Sequence, residues 1–511
     1  MPHEELLAEL DRRRAAAEAM GGEEKLAKRR ERGDLNAMER LEFLVDEGSF
    51  IETGLLGVSS MFKEDESRTP RDGKVAGFAR IDGRDVGVII NDFTVKAAST
   101  SATNSKKMAH VRRVSTEKGM PFVHIGESTG ARLPDVMGAR GMGIMLGNDP
   151  TQFLRTRENP WVAAALGTSF GSSAWLTCTS DFAVMKKGSV MSVSSPRLVS
   201  MAVGQTVDVE ELGGWKLHAD ITGLVDRFVD TDEEALQDIQ AFLGYMPSHN
   251  QELPPEVEPS PDAEQDQAGI LEIIPEKRTK VYDMRKIIRL FVDKGTFFEL
   301  KPRFGKAAVV GLARLGGKVV GIIGNNPMVG GGAISADACR KIIDFQVMCD
   351  SFNVPLVRFM DTPGFVVGTN AERKGAPGWI MNFMNSTCLL TVPSITVIVR
   401  KAYGRAYVAM GGGRHNEEMI AWPTAEVSFM DPGYATTIVH GLEPEDEGFD
   451  EAFEQIQKDA GVWDMASMYS LQNVVKPQET RNYIIRMLDV YRSRKNNGIG
   501  KHLMKTWPTS Y

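Results

Sequence analysis

Cysteine is scarce in this chain: Cys178, Cys339, Cys349 and Cys388 are the only four in 511 residues, and none falls in a C-x-x-C pair or a Cys/His ligand spacing. That argues against a disulfide framework or a structural zinc site and leaves four reduced thiols in or near a core. Long apolar runs are also missing, so no segment reads as a membrane span. The N-terminus carries Glu4, Glu5, Glu9 and Asp11, too acidic for a transit peptide, and it lacks the apolar segment of a signal peptide, so a cytoplasmic protein is expected. Positive charge is not in excess either. With 60 basic residues against 68 acidic ones, a formal charge of −8, nucleic acid is not expected as the main partner. The motifs G-x-x-x-x-G-K-[ST] and H-E-x-x-H are absent, which removes the common phosphate-loop and zinc-hydrolase readings.

What the chain has in quantity is glycine, 50 residues, many of them just after β-branched runs. That pattern belongs to an α/β protein with many tight strand-to-helix turns, and the length calls for more than one core. Residues 1–32 alternate Leu, Ala and charge at helical spacing, interrupted at Gly21-Gly22. A further helix is expected from Ala37 to Val45, and a hairpin with its turn at Asp82-Gly83. Strands are expected over Pro121 to Ile125, Trp161 to Leu166 and Val392 to Val399. The tract 250–275 is rich in proline and acid and reads as a linker, which gives domains at 33–249 and 276–511.

The second domain restarts the first. Asp293-Lys-Gly-Thr-Phe297 repeats Asp46-Glu-Gly-Ser-Phe50, Gly311 to Gly317 repeats Gly77 to Gly83, and Pro355 to Gly364 repeats Pro121 to Gly130. The offset is 234 both for 311 − 77 and for 364 − 130, and it continues as 233 for 404 − 171. Spacing held over so many stretches reads as an internal duplication. It makes equivalents of two glycines that follow buried strands, Gly171 and Gly404. A strand turning into a helix at such a glycine aims unpaired amide N–H groups at one spot, which suits an oxyanion. The plain alternative is a glycine required only by the turn. Glu127 and Asp361 end equivalent strands and either orient catalytic groups or cap the next helix. Arg132 suits a phosphate, a carboxylate or an interdomain ion pair. Gly330-Gly-Gly332 and Gly411-Gly-Gly413 fit either a backbone approach to phosphate or flexible loops. His110, His218, His415 and His440 read as surface or structural histidines.

Several stretches carry a family likeness: Asp92-Phe-Thr-Val95, Ser128-Thr-Gly-Ala-Arg132, Glu210-Glu-Leu-Gly-Gly214 with His218, Pro363-Gly-Phe365, Arg400-Lys-Ala-Tyr-Gly404, Ala421-Trp-Pro-Thr-Ala-Glu426 and Thr480-Arg481. With them the chain resembles, from about residue 20 to 490, the carboxyltransferase (beta) subunit of biotin-dependent acyl-CoA carboxylases, the propionyl-CoA, methylmalonyl-CoA and glutaconyl-CoA group. The resemblance implies two tandem crotonase-type domains, each a spiral of ββα units, in a hexamer built as a trimer of dimers. It implies acyl-CoA as substrate on the N-terminal domain of one subunit and biotin on the C-terminal domain of another. A biotin carboxylase and biotin carrier partner is implied as well, since no Ala-Met-Lys-Met site or ATP-binding module is seen here. The carboxyl group would move between carboxybiotin and the α-carbon of the acyl-CoA, biotin's own nitrogen taking the proton.

Carried over residue by residue, Gly171 and Ser172 would hold the thioester enolate, and Gly404, Arg405 and Ala406 the biotin oxygen. Ser128, Thr129, Gly130, Ala131 and Arg132, with Gly364 and Phe365, would bind substrate. The family usually has Gly-Gly at both turns, where this chain has Gly171-Ser172 and Gly404-Arg405. Arg405 therefore supports a second reading, a biotin-independent acyl-CoA decarboxylase or lyase in which its guanidinium contacts substrate. A third reading is a non-catalytic CoA-binding scaffold subunit.

Overall fold

The computed structural model describes residues 3–59, 68–145, 154–413, 416–493 and 495–508. The chain divides into two compact units, Met1–Asn250 and Gln251–Tyr511. The first opens with helices α1 (His3–Glu18) and α2 (Glu23–Glu31), broken where the two glycines predict a break, with Met20 and Gly22 at φ 52° and 89°. Acidic Glu23 and Glu24 start α2 and basic Lys28, Arg29 and Arg30 end it, matching the helix dipole at both ends. Helix α3 (Ala37–Leu44) begins on a capping box in which Asn36 and Glu39 satisfy each other's backbone amides.

An eight-stranded mixed sheet follows, built from β1 (Ile51–Glu52), β2 (Lys74–Ile81), β3 (Arg84–Asn91), β4 (Phe122–Ser128), β5 (Trp161–Phe170), β6 (Phe182–Lys186), β7 (Val190–Ser192) and β8 (Arg227–Val229). The order is β1-β2-β3-β4-β5-β6-β8, with β7 beside the far end of β5. Strands β2 and β3 form the expected hairpin, and its two turn residues, Asp82 and Gly83, both sit at positive φ (50° and 75°), as a two-residue turn of right-handed twist requires. From β3 onward pairing is parallel. Helix α4 (Ala102–Lys118) makes the crossover from β3 to β4, and short helices α5 (Ser172–Cys178) and α6 (Pro196–Val203) follow β5 and β7.

The second unit holds another eight-stranded mixed sheet: β9 (Phe298–Leu300), β10 (Ala308–Leu315), β11 (Lys318–Asn325), β12 (Leu356–Thr362), β13 (Ser394–Tyr403), β14 (Glu418–Ala421), β15 (Glu426–Ser428) and β16 (Asn473–Val474). Its order, β9-β10-β11-β12-β13-β14-β16 with β15 beside β13, repeats the first sheet strand for strand. Helices α7 (Met284–Phe291), α8 (Ala336–Ser351), α9 (Gly404–Ala409) and α10 (Pro432–His440) stand where α3, α4, α5 and α6 stand in the first. Strands β4 and β12 are buried along their whole length although each carries polar residues, His124, Glu127 and Ser128 in one and Arg358, Asp361 and Thr362 in the other. The second core gathers Phe291, Phe359, Ile395 and Trp422.

One expectation is corrected. The long strands do not stop at Leu166 and Val399 but run on to Phe170 and Tyr403. The added residues leave one neighbour and pair with another: Thr168 to Phe170 with β7, and Lys401 to Tyr403 with β15. The tract expected as a linker lies against the second unit, where Val257 N–H donates to Gly317 O at 3.1 Å and Ile270 is fully buried. No helix among the described residues is long and apolar enough to cross a membrane.

Candidate functional site

Strand β5 ends before Gly171, which adopts φ 60°, ψ −124° and leads directly into α5. Strand β13 ends before Gly404, also at φ 60°, which leads into α9. Any side chain at either place would sit in the disfavoured left-handed region, and at Gly404 a Cβ would also come within 3.1 Å of Phe429 O. Neither helix start receives a side-chain cap. The amides that begin α5 and α9 therefore have no intrahelical partner and no capping oxygen, and both turns present unpaired donors.

The neighbouring strand ends complete each turn. Thr100 N–H donates to Gly130 O at 2.8 Å and Arg132 N–H to Thr100 O at 2.7 Å, so Ala131 sits in a one-residue bridge with its own N–H left over. Gly130 packs on the turn, since a Cβ on Gly171 would lie 3.8 Å from Gly130 Cα. Ser128 Oγ donates to Ala98 O at 2.9 Å, and the Gly130 amide donates back to Ser128 Oγ at 3.2 Å. Thr129 is tied through its amide to Ala97 O at 3.2 Å. The hydroxyls of Ser172 and Thr100 lie 3.0 Å apart. The structure thus brings Ser128, Thr129, Gly130 and Ala131 together with Gly171 and Ser172. In the second unit, Ile334 N–H donates to Gly364 O and Val366 N–H to Ile334 O, both at 3.0 Å, and Phe365 occupies the same bridge. Ala406 is buried, whereas the Arg405 side chain is exposed with no side-chain partner among the described residues.

Arg132 is turned inward. Its guanidinium pairs with Asp72 and donates to Ser99 O at 3.0 Å and Ser99 Oγ at 3.2 Å, so it braces the loop around Thr100 and presents no open cation to a ligand. Burial holds the Asp72 carboxyl above its ordinary range against the pull of that arginine. Glu127 and Asp361 cap no helix. Glu127 receives Arg29 (2.9 Å twice) and Arg40 (2.7 Å), and Asp361 receives Tyr282 Oη (2.8 Å), Arg400 Nε (3.1 Å) and the Lys401 amide (3.2 Å). Tyr403, the residue before the second turn, donates to Glu426 at 2.7 Å and accepts from Arg278 at 3.1 Å. His218 has both ring nitrogens engaged, by Met191 O (2.7 Å) and Thr222 Oγ1 (3.1 Å). His110 lies edge-on to Phe78, His440 is exposed at the end of α10, and His415 falls outside the described residues. Among the described residues no cluster of His, Cys, Asp and Glu could hold a metal ion.

Sequence reasoning missed a cavity of about 470 Å³ at the C-terminal ends of β3, β4, β5 and β6. Six cationic residues line it, Lys25, Lys28, Arg29, Arg32, Lys186 and Lys187, against the carboxylates of Asp34 and Glu127. Its signal in the sequence was the run of basic residues between 25 and 32. The second unit has a cavity at the matching place, reached from Met328 as the first is from Thr94, each three residues beyond its strand. There the charged lining is Glu272, Asp283 and Lys286, so the cationic character belongs to the first unit alone.

These features have known counterparts. Residues 28–503 match the carboxyl transferase domain family. The chain is 33% identical to the propionyl-CoA carboxylase carboxyltransferase subunit of Haloferax mediterranei, over 97% of this chain and 98% of that one. It is 30% identical to the methylmalonyl-CoA decarboxylase subunit alpha of Veillonella parvula, over 94% and 95%. Its fold superposes on the transcarboxylase 12S hexamer core, solved with methylmalonyl-coenzyme A, with a TM-score of 0.88 at 31% identity and 97% of both chains covered. With the family model spanning nearly its whole length and relatives matching it end to end, this chain belongs to the carboxyl transferase family.

Proposed function

We propose that the chain is the carboxyltransferase component of a biotin-dependent acyl-CoA carboxylase, moving a carboxyl group between carboxybiotin and the α-carbon of an acyl-CoA. The observation that carries this reading is the pair of uncapped helix starts behind Gly171 and Gly404, at the same place in two sheets of the same strand order. The repeated order, with the repeated spacing in the sequence, supports reading the units as duplicated crotonase-type ββα spirals.

The first turn serves the thioester. The N–H groups of Ser172 and Ala131 hold the thioester oxygen as charge builds on it when the α-proton leaves, and fixed backbone donors of this kind need no rearrangement to do so. The cation-lined cavity supplies the place for the phosphates of CoA, which its acidic counterpart in the second unit does not. The residues of the second turn fit a ureido oxygen: two or three unpaired amides at Gly404, Arg405 and Ala406, with the Arg405 side chain exposed. Bound there, carboxybiotin would supply the carboxyl group. Arg278 and Glu426 hold Tyr403 and so fix where the turn begins.

Both α6 and α10 leave apolar side chains in the open, Leu198, Met201 and Val203 on one and Tyr434, Ile438 and Val439 on the other, and faces of that kind call for cover by protein. We read them as contacts of a hexameric trimer of dimers, in keeping with the hexamer described for transcarboxylase 12S. A biotin-carrying partner completes the assembly. The reading is tested with the purified chain, methylmalonyl-CoA and free biotin. Release of propionyl-CoA that requires biotin is the expected result. Thioester turnover indifferent to biotin would support the lyase reading through Arg405 instead.

A further inference from the structure

We infer that the acyl group this chain takes is an uncharged hydrocarbon chain longer than propionyl, seated in an apolar cavity beside the thioester turn. The inference rests on the carboxyltransferase reading and deepens it. The cavity measures about 340 Å³, within the range of small-molecule sites (roughly 300–1,000 Å³). Trp175 and Cys178 of α5, Val193 beyond β7, Val199 of α6, and Leu212 and Leu224 form most of its wall. No Asp, Glu, Lys or Arg lines it, and His218, which does, has both ring nitrogens engaged.

Two elements connect the cavity to the turn. Helix α5 gives its first amides to the turn and its next side chains to the cavity, Trp175 standing ~4.5 Å along the axis from Ser172. Ser192, also in the wall, pairs in the sheet with Phe170, the residue before Gly171. A thioester oxygen held at the turn therefore points its acyl chain along an apolar wall. A propionyl group reaches two carbons past the carbonyl and leaves most of the space empty, which forfeits packing that a longer chain would gain. A terminal carboxylate would be buried there without a partner, so a diacid thioester is rejected.

The test titrates the full chain calorimetrically with CoA and with propionyl-, butyryl-, hexanoyl- and glutaryl-CoA. Affinity is expected to climb by about fourfold per methylene from propionyl to hexanoyl, and glutaryl-CoA to bind at least about tenfold more weakly than hexanoyl-CoA. Val199→Trp, which fills the cavity, should reverse the climb. Should that variant fail to fold, the wild-type series decides alone. A flat series with CoA itself still bound overturns the acyl inference and spares the carboxyltransferase reading, as does a climb that Val199→Trp leaves intact. Failure of CoA and every thioester to bind overturns both.

Discussion

Arg405 shows how far a single residue can be judged from its neighbours in sequence. Beside Gly404, where the family has a second glycine, a long cation raises the prospect of a blocked pocket or a direct hold on substrate. In the fold its position contributes a backbone amide to the start of α9 while the guanidinium stands exposed. Arg405→Gly is therefore expected to keep biotin-dependent carboxyl transfer within about threefold, because a surface side chain without partners contributes little. Loss of turnover by a hundredfold in a steady-state assay would assign the guanidinium to the substrate. His124 makes the opposite case, unremarkable in sequence and fully enclosed in β4. Burial first, and the Lys74 ammonium second, push its pKa down to about 3. Between that value and the ordinary pKa near 6.5 the unfolded chain binds a proton that the folded chain does not, so stability falls as pH drops through this window, by about 2–3 kcal/mol at pH 4.5. His124→Gln should flatten the acid side of the thermal-stability profile, and an unchanged slope would contradict the assignment.

At the scale of elements, the two halves keep the same architecture, in one place with the same side chain in equivalent helices. Lys107 in α4 donates to the carbonyls of Gly54 (3.0 Å), Arg71 (3.4 Å) and Lys74 (2.6 Å), and Lys341 in α8 does the same for Lys301 (2.8 Å), Phe304 (3.1 Å) and Ala308 (2.7 Å). Lys341→Met leaves three buried carbonyls unpaired and should cost about 3 kcal/mol or more, measured by chemical denaturation. A loss under about 1 kcal/mol would mean that water replaces the amine. The hairpin at Asp82-Gly83 and the strands that lead into the glycine turns were legible in the sequence because each depends on local chemistry: positive φ at the hairpin turn and β-branched runs in β13. The supports of Glu127 and Asp361 were not. Arg29, Arg40 and Tyr282 reach them from helices or loops about 80–100 residues away in sequence, and the two halves meet the same need with different residues. Gly330-Gly-Gly332 was legible only as a glycine-rich loop. It forms a left-handed turn at φ 56°, 67° and 88°, and Lys96, Ala97 and Ala98 make the same turn in the first unit without any glycine.

For the whole molecule, a net charge of −8 conceals where charge is placed. Cations dominate the lining of the first unit's cavity and not that of the second, and in the proposed function this difference is what divides the ligands between the halves. Lys28→Glu with Arg32→Glu, two changes on the exposed rim of the first cavity, should weaken CoA binding by about tenfold at low salt, and the effect should shrink as ionic strength rises. Equal binding by the variant and the parent chain would remove the phosphates from that place. The central claim, carboxyl transfer between biotin and a thioester, is tested most directly by supplying the chain with its biotin carboxylase and carrier proteins, ATP, labelled bicarbonate and an acyl-CoA. The account predicts label fixed on the α-carbon of the acyl group and abolished by avidin. A fully carboxylated carrier that passes no label to any acyl-CoA would contradict it.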